Sequence, residues 1–549
     1  MHTSRPKRKR TRRLAVAAAM VIALLVQAGA VASPEKVRDG GILRVALARL
    51  DYVDPALAYS PEARALLDTT CARLMTYPDK APPEGFRLVP EVASAYPRAS
   101  HDRKTWTFTL RTGVRFSNGA PVLAEAFATA INRTLSPRIT SPALSYTQSI
   151  VGADDVRAGR AATARGIVAR DRTLIVRFTR PVPDFPAWTT MSFFCAVPPG
   201  LPVDPEGIGA FRSAGPYTIT DFRPNERVVI RRNRFYDGSR PHHVDGYDVD
   251  LRPRAPGELL DRIERGEADW AYTTAPILLD PSRGLIAKYG LNRSQFFVRP
   301  GLTLRVLLLN SSRPLFKDNP GLRRAVNLAL NRRALSTAAG GAQGSGTPTD
   351  QYLPSILPGF HDARVNALST SDVRRAKELA RGHTRQGTAV FYVPDFPQPL
   401  AVAQLVKRQL AEIGLDVQLR PVPFHVTNSS YLGPLGTPGE PWDIALQLWT
   451  PDYVDPYAYV NRLLDGSFSG GSNLAHFDSA KYNRLMRQAA RLEGAARYER
   501  YGELDVDLAR NAAPLVPVEF FDEPTFVSKR IGCVVLRPTL DLTAACLKP

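Results

Sequence analysis

The chain has 549 residues, 44% of them hydrophobic and 23% charged, enough for three to four units of about 150 residues each, and this composition argues against disorder. Its formal charge is +20, but seven basic residues and no acidic one fall within residues 1–32, which leaves +13 for the remainder. Arginine is spread along that remainder with acids among it, and no basic run with interleaved aromatics follows residue 32, so no nucleic-acid partner is expected.

The first 32 residues have the three parts of a secretion signal: the basic RPKRKRTRR, an apolar core at 14–26, and Ala30-Val31-Ala32. Export to the periplasmic or extracellular face is expected, although the apolar stretch 14–32 is also long enough to remain as an uncleaved anchor. No cysteine lies near this region to carry a lipid. Residues 42–48 (ILRVALA) then read as a buried strand, and Asp54-Pro55 breaks it before a helix over 61–75. TWTFTL at 105–110 alternates as a strand, Phe116-Ser117-Asn118-Gly119 supplies turn chemistry, and a helix follows over 122–134. Further strands are expected at 173–178, 217–221 and 228–230.

The pattern changes near Pro300. A strand at 304–309 precedes an amphipathic helix at 321–334 and a glycine-rich loop at 340–346, which lacks the Lys and Ser/Thr of a phosphate cradle. Helix 372–381, strand 388–393, helix 398–413 and strand 416–419 have the order of βαβ units and imply an open parallel or mixed sheet. A strand at 444–448, helices at 479–490 and 496–511, and the short strand 514–518 complete the chain, the last returning it to the first half.

Four cysteines suit an oxidising compartment. Cys533 and Cys546 are the closest in sequence and are expected to close a short loop; Cys71 and Cys195 are either joined or buried as thiols. The chain contains no HExxH, GxSxG, GxGxxG or GxxxxGK[ST] motif and no CxxC, so no catalytic residue, metal site or cofactor is assigned and no bond chemistry is expected.

The segment richest in recognition chemistry is WDIALQLWTPDYVDPYAY, residues 442–459. A strand ends in Trp449, after which Asp452, Tyr453 and Asp455 crowd a proline-containing loop. Acids and aromatics at a strand end suit a cation with an apolar body. Asp455-Pro456 also reads as simple turn initiation, and Trp449 equally as a core side chain.

The stretch TWTFTLRTGVRFSNGAPV, residues 105–122, resembles the pattern of the solute-binding proteins of ABC transporters that include the dipeptide, oligopeptide and nickel binders, family 5. Further matches follow in order: Gly215-Pro216-Tyr217, Arg232-Asn233, Gly266-Glu267-Ala268-Asp269, Asn310, Arg323-Arg324-Ala325-Val326, Asn331-Arg332, Ala376-Lys377-Glu378-Leu379, Ile413-Gly414 and Ala513-Pro514. One position departs: Ala126 stands where the family usually has Asp.

The resemblance implies an α/β, two-lobed periplasmic-binding-protein-like fold of class II, with mixed sheets, a hinge and an extra subdomain in the first lobe. It implies lobe I over 33–300, lobe II over 301–513, and a return to lobe I over 514–549. It implies capture of a short peptide, or another solute such as a metal chelate or oligosaccharide, for delivery to an ABC permease by a monomer; a signalling or envelope-interaction protein could use the same fold. The family's peptide binders place an Asp three residues after a strand-end Trp on the ligand's α-amino group, and Trp449-Thr450-Pro451-Asp452 matches that spacing. The ligand-binding residues expected are therefore Asp452 first, then Trp449, Tyr453 and Asp455.

Overall fold

Two long strands, Phe296–Leu309 and Leu515–Phe526, run antiparallel along most of their length and tie the chain together. Leu304, Val306 and Leu308 point into one core, whereas Leu307 and Leu309 point into another. Burial on both faces of the sheet is why this stretch reads as an almost unbroken apolar run rather than as an alternating one. The opposite ends of the same strands enter a third core, where Phe296 and Phe526 pack with Leu259 and Ile263. The register slips between Pro300 and Leu304, midway between these cores.

The structure is a computed structural model that describes residues 39–252, 255–272, 282–340, 346–384, 388–423, 429–437, 439–537 and 540–549. The expected secretion signal lies outside the described residues, as do positions 341–345 of the glycine-rich loop. None of the described helices is long and apolar enough to cross a membrane.

The architecture is a two-lobed mixed α/β fold. One lobe holds a five-stranded sheet in the order Trp270–Tyr272, Ile42–Leu47, Gly246–Asp250, Arg227–Arg232, Tyr217–Arg223, with the first three strands parallel. Between its strands Ile42–Leu47 and Tyr217–Arg223 the chain inserts a four-stranded antiparallel sheet with its own core, which includes Trp106, Phe108, Phe127 and Trp188. The other lobe holds a six-stranded sheet in the order Gly346–Pro348, Leu515–Phe526, Phe296–Leu309, Ile444–Trp449, Ala389–Pro394, Val417–Val422. The expected βαβ unit is present: Ala389–Pro394 and Val417–Val422 pair in parallel across helix Pro397–Ala411.

Several boundaries differ from the sequence reading, each for a local reason. The helix expected over 61–75 stops at Thr70, because Cys71 turns extended and is bonded to Cys195. The helix expected over 321–334 is two helices, Pro320–Ala329 and Arg332–Ala338; Leu330 is extended and the Asn331 side chain caps the second by accepting from the Ala334 N–H. The last long strand spans Leu515–Phe526 rather than 514–518, and Leu515, Val516, Val518 and Phe520 pack in the cores of the six-stranded sheet before the chain crosses over. Cys533 and Cys546 are bonded, so both disulfides form.

Several motifs of the resemblance have structural roles. A Cβ on Gly215 would lie 2.5 Å from the Thr70 backbone, and the Gly215 N–H donates to the Thr70 carbonyl. The Asn233 side chain donates to the Gly215 carbonyl at 3.0 Å. Arg332, fully buried, donates to the carbonyls of Pro517 and Asn327 and so joins a helix to the crossing strand. Asp269 is buried between Arg44, Ser528 and Arg530.

Candidate functional site

Where the two long strands cross between lobes, a cavity of about 450 Å³ opens, a volume in the range of small-ligand sites. Its floor is the crossing itself, with Leu302, Thr303, Phe521 and Glu523. One wall comes from helix Pro61–Thr70 and the segment after it; the other comes from the loop after strand Ile444–Trp449, including Thr450 and Asp452.

Asp452 stands half-exposed at this second wall. The Tyr59 hydroxyl donates to its Oδ1 at 2.7 Å, and the Tyr146 hydroxyl donates to Oδ2. Both phenols come from the first lobe, one from the loop before helix Pro61–Thr70 and one from the inserted subdomain. Burial, and then the Asp452 charge, raise the pKa of each phenol, so both stay protonated donors. A carboxylate has about four acceptor positions, so the two phenols leave each oxygen able to accept again. Asp452 has no cationic partner among the described residues. The surroundings are aromatic: Tyr59 stacks on Phe193 with centroids 6.2 Å apart, and Tyr146 packs edge-on against Trp188 at 5.0 Å.

The other three expected site residues are placed differently. Tyr453 lines the cavity, but its hydroxyl donates to buried Asp184 and its ring joins the core of the inserted subdomain. Trp449 turns away from the cavity, packing on a core of the six-stranded sheet while its Nε1 donates to the Ala458 carbonyl at 3.0 Å. Asp455 is only 3% exposed, and both its oxygens accept from Arg497 at 2.7 Å. It also accepts from the Tyr457 N–H at the start of helix Tyr457–Leu464. Burial alone would lower the Arg497 pKa, but the Asp455 charge raises it well above its ordinary value. Asp455 therefore holds a loop and a helix in place, away from the cavity.

Most charges on the first-lobe wall are already paired. Asp68 sits 2.5 Å from Arg73; burial raises its pKa, but Arg73, Arg240 and Arg537 outweigh that and hold it down to about 2. Arg240 lies 3.0 Å from Glu91 and donates to the carbonyls of Asp68 and Cys71, satisfying the end of helix Pro61–Thr70. Arg537 pairs with Asp541 and reaches the Pro78 carbonyl at 2.7 Å. No signal in the sequence marks Tyr59, Tyr146 or these arginines as neighbours of Asp452, since more than 300 residues separate either tyrosine from it.

Two neutral donors thus orient a carboxylate at the edge of a partly open cavity between the lobes. The family model of bacterial extracellular solute-binding proteins, family 5, matches residues 87–471. The chain belongs to this family. Among relatives of this solute-binding protein is the periplasmic oligopeptide-binding protein OppA of Escherichia coli (strain K12), 27% identical over 467 residues, which are 80% of this chain and 81% of that one. The probable ABC transporter periplasmic-binding protein SapA of the same organism is 24% identical over 91% of each chain. A solved structure of the periplasmic murein tripeptide binding protein MppA, in an unliganded open form, superposes with a TM-score of 0.77 at 20% identity, covering 94% of this solute-binding protein and 99% of that chain. The resemblance drawn from residues 105–122 and the later motifs is thus borne out in family and in fold.

Proposed function

We propose that this solute-binding protein is exported, captures a short peptide between its lobes as a monomer, and delivers it to the permease of an ABC importer without making or breaking bonds. The observation that carries this reading is the Asp452 carboxylate at the cavity wall, which two phenols orient and no cation among the described residues neutralises. An α-ammonium enclosed there gains a counter-charge, and the aromatic surroundings accept the apolar part of a peptide. Relatives that match over most of both chains bear the names of oligopeptide-binding and ABC-transporter proteins, which supports the same substrate class and partner.

In this reading residues 33–300 with the end of the chain form one body and 301–513 the other. The bodies close about the crossing strands, near the register slip at Pro300 and Leu304 and opposite Phe521 to Glu523. Asp452 is the amine anchor, Tyr59 and Tyr146 orient it, and Tyr453 contributes its ring edge to the wall.

The test is calorimetry on four combinations: wild type and Asp452→Asn, each with a free-amine and an N-acetylated peptide. Removing one member of an enclosed charge pair costs about 2–5 kcal/mol, so the free-amine peptide should lose roughly 30-fold to several thousand-fold in affinity on mutation. The acetylated peptide should bind wild type poorly and change little on mutation. Equal binding of the free-amine peptide to both proteins would refute the anchor. If mass spectrometry of ligand released from the purified protein found a sugar or a metal chelate instead, the peptide reading itself would fall.

A further inference from the structure

The charges that line the cavity can be paired off. Arg73 is paired with Asp68, Arg240 with Glu91 and Arg537 with Asp541. Three lining charges remain without a charged partner among the described residues: Asp452, Glu523 and Arg64. A tyrosine stands between Arg64 and each of the two acids. The Tyr59 hydroxyl binds Asp452 while the Arg64 guanidinium lies 5.8 Å from the centre of the same ring. On the far side Tyr272 lines the cavity with both Glu523 and Arg64: beyond the effect of burial, Glu523 and then Glu62 raise the pKa of its phenol and Arg64 lowers it.

Glu523 sits on the crossing strand opposite Arg299, and its carboxyl makes no hydrogen bond or ion pair among the described residues. Space for its side chain is provided across the strand pair by Gly301, where a Cβ would fall 2.8 Å from the Glu523 Cγ. Burial, followed by the neighbouring Asp522, pushes the Glu523 carboxyl up to about 7, as expected of a carboxyl enclosed without a counter-charge. An enclosed carboxylate of this kind gains from a cation that arrives with the ligand.

We propose that the cleft selects short peptides that carry a basic side chain, with Glu523 receiving that side chain's cation and Arg64 the peptide's carboxylate. The two unpaired acids and one unpaired base of the wall are the complement of a ligand with two cations and one anion, which is a free-ended peptide containing one lysine or arginine. This inference rests on the peptide reading and adds to it a side-chain preference and two residues. Arg64 suits its role because a guanidinium presents a planar fork of donors to a carboxylate.

The experiment is titration calorimetry at pH 8 with trialanine peptides that carry lysine, or norleucine, which keeps the four-carbon chain and lacks the ammonium, at the first, second or third position. In at least one register the lysine peptide should bind wild type about 10- to 100-fold more tightly than its norleucine counterpart. Glu523→Gln should erase that preference while leaving the norleucine peptide's affinity in place, which also reports that the variant is folded. Arg64→Gln should weaken the free-acid peptides and leave their C-terminal amides unchanged. Equal affinity for lysine and norleucine in every register, or a preference that survives Glu523→Gln, would overturn the inference and leave the peptide reading standing. Failure of every peptide in the set to bind wild type would overturn both.

Discussion

Asp452 and Asp455 lie three residues apart in one loop, and the fold surrounds them in opposite ways. On the cavity side, Asp452 is half-exposed and held by two neutral phenols from the other lobe. On the core side, Asp455 is buried and bound through both oxygens by Arg497. The first arrangement keeps acceptor capacity in reserve, whereas the second consumes it. The carboxylate proposed to bind ligand is thus distinguished from the structural one by the charge of its partners rather than by its residue type or its place in a turn.

Substitution of the two aspartates should break the pair most sharply. Asp455→Ala leaves Arg497 buried without its counter-charge, so stability should fall by about 3–5 kcal/mol. Asp452→Ala removes two hydrogen bonds at a half-exposed position and should cost about 1 kcal/mol. Urea denaturation of both variants checks this, and equal costs would show that the two sides of the loop do not differ as described.

Asp505 supplies a third setting, buried with no cation paired to it among the described residues. It accepts from Gln351 Nε2 at 3.0 Å and from the Tyr352 N–H at 2.8 Å, yet burial pushes it up to about 7. Because its pKa is higher in the folded than in the unfolded chain, its protonated form favours folding. Its contribution is most favourable below the unfolded value near 4 and is lost as pH rises through 7. The stability of wild type relative to Asp505→Asn should therefore fall by roughly 3 kcal/mol between pH 5 and pH 8. A difference that is flat with pH would mean that the two amide donors suffice to keep this carboxylate ionised.

The smallest expected effect is at the phenols. Tyr59→Phe and Tyr146→Phe each remove one donor from Asp452 without touching its charge. Each should weaken a free-amine peptide by about fivefold, the equivalent of one net hydrogen bond, and leave stability nearly unchanged. If either change weakened binding as strongly as Asp452→Asn, the phenol itself, and not the carboxylate it orients, would be the main contact.

Much of the scaffold is legible along the chain. The largely apolar stretch at Leu304 to Leu309 announced a strand, and the alternation of helices and strands between residues 372 and 419 announced a parallel or mixed unit, because both patterns arise from local geometry. The family motifs were readable for a related reason. Gly215, Arg332 and Asp269 satisfy backbone and charge at fixed places in the scaffold, so the fold constrains them tightly. Residue type and spacing also singled out the loop that carries Asp452.

Only the tertiary structure decided which side of that loop each aspartate faces, and which side chains meet it. Arg64 and Glu523 line the cavity with Asp452, and Tyr59 and Tyr146 bind Asp452, all from widely separated parts of the chain. No periodicity links them, because their proximity is set by the packing of one lobe on the other. The same holds for charge. Arg64 and Arg73 are alike in sequence, but Arg73 has Asp68 at 2.5 Å whereas Arg64 lines the cavity with no carboxylate in ion-pair contact among the described residues. Pairing depends on distances of a few ångströms between distant segments, whereas the sequence alone specifies the period of each segment and the chemistry available to it.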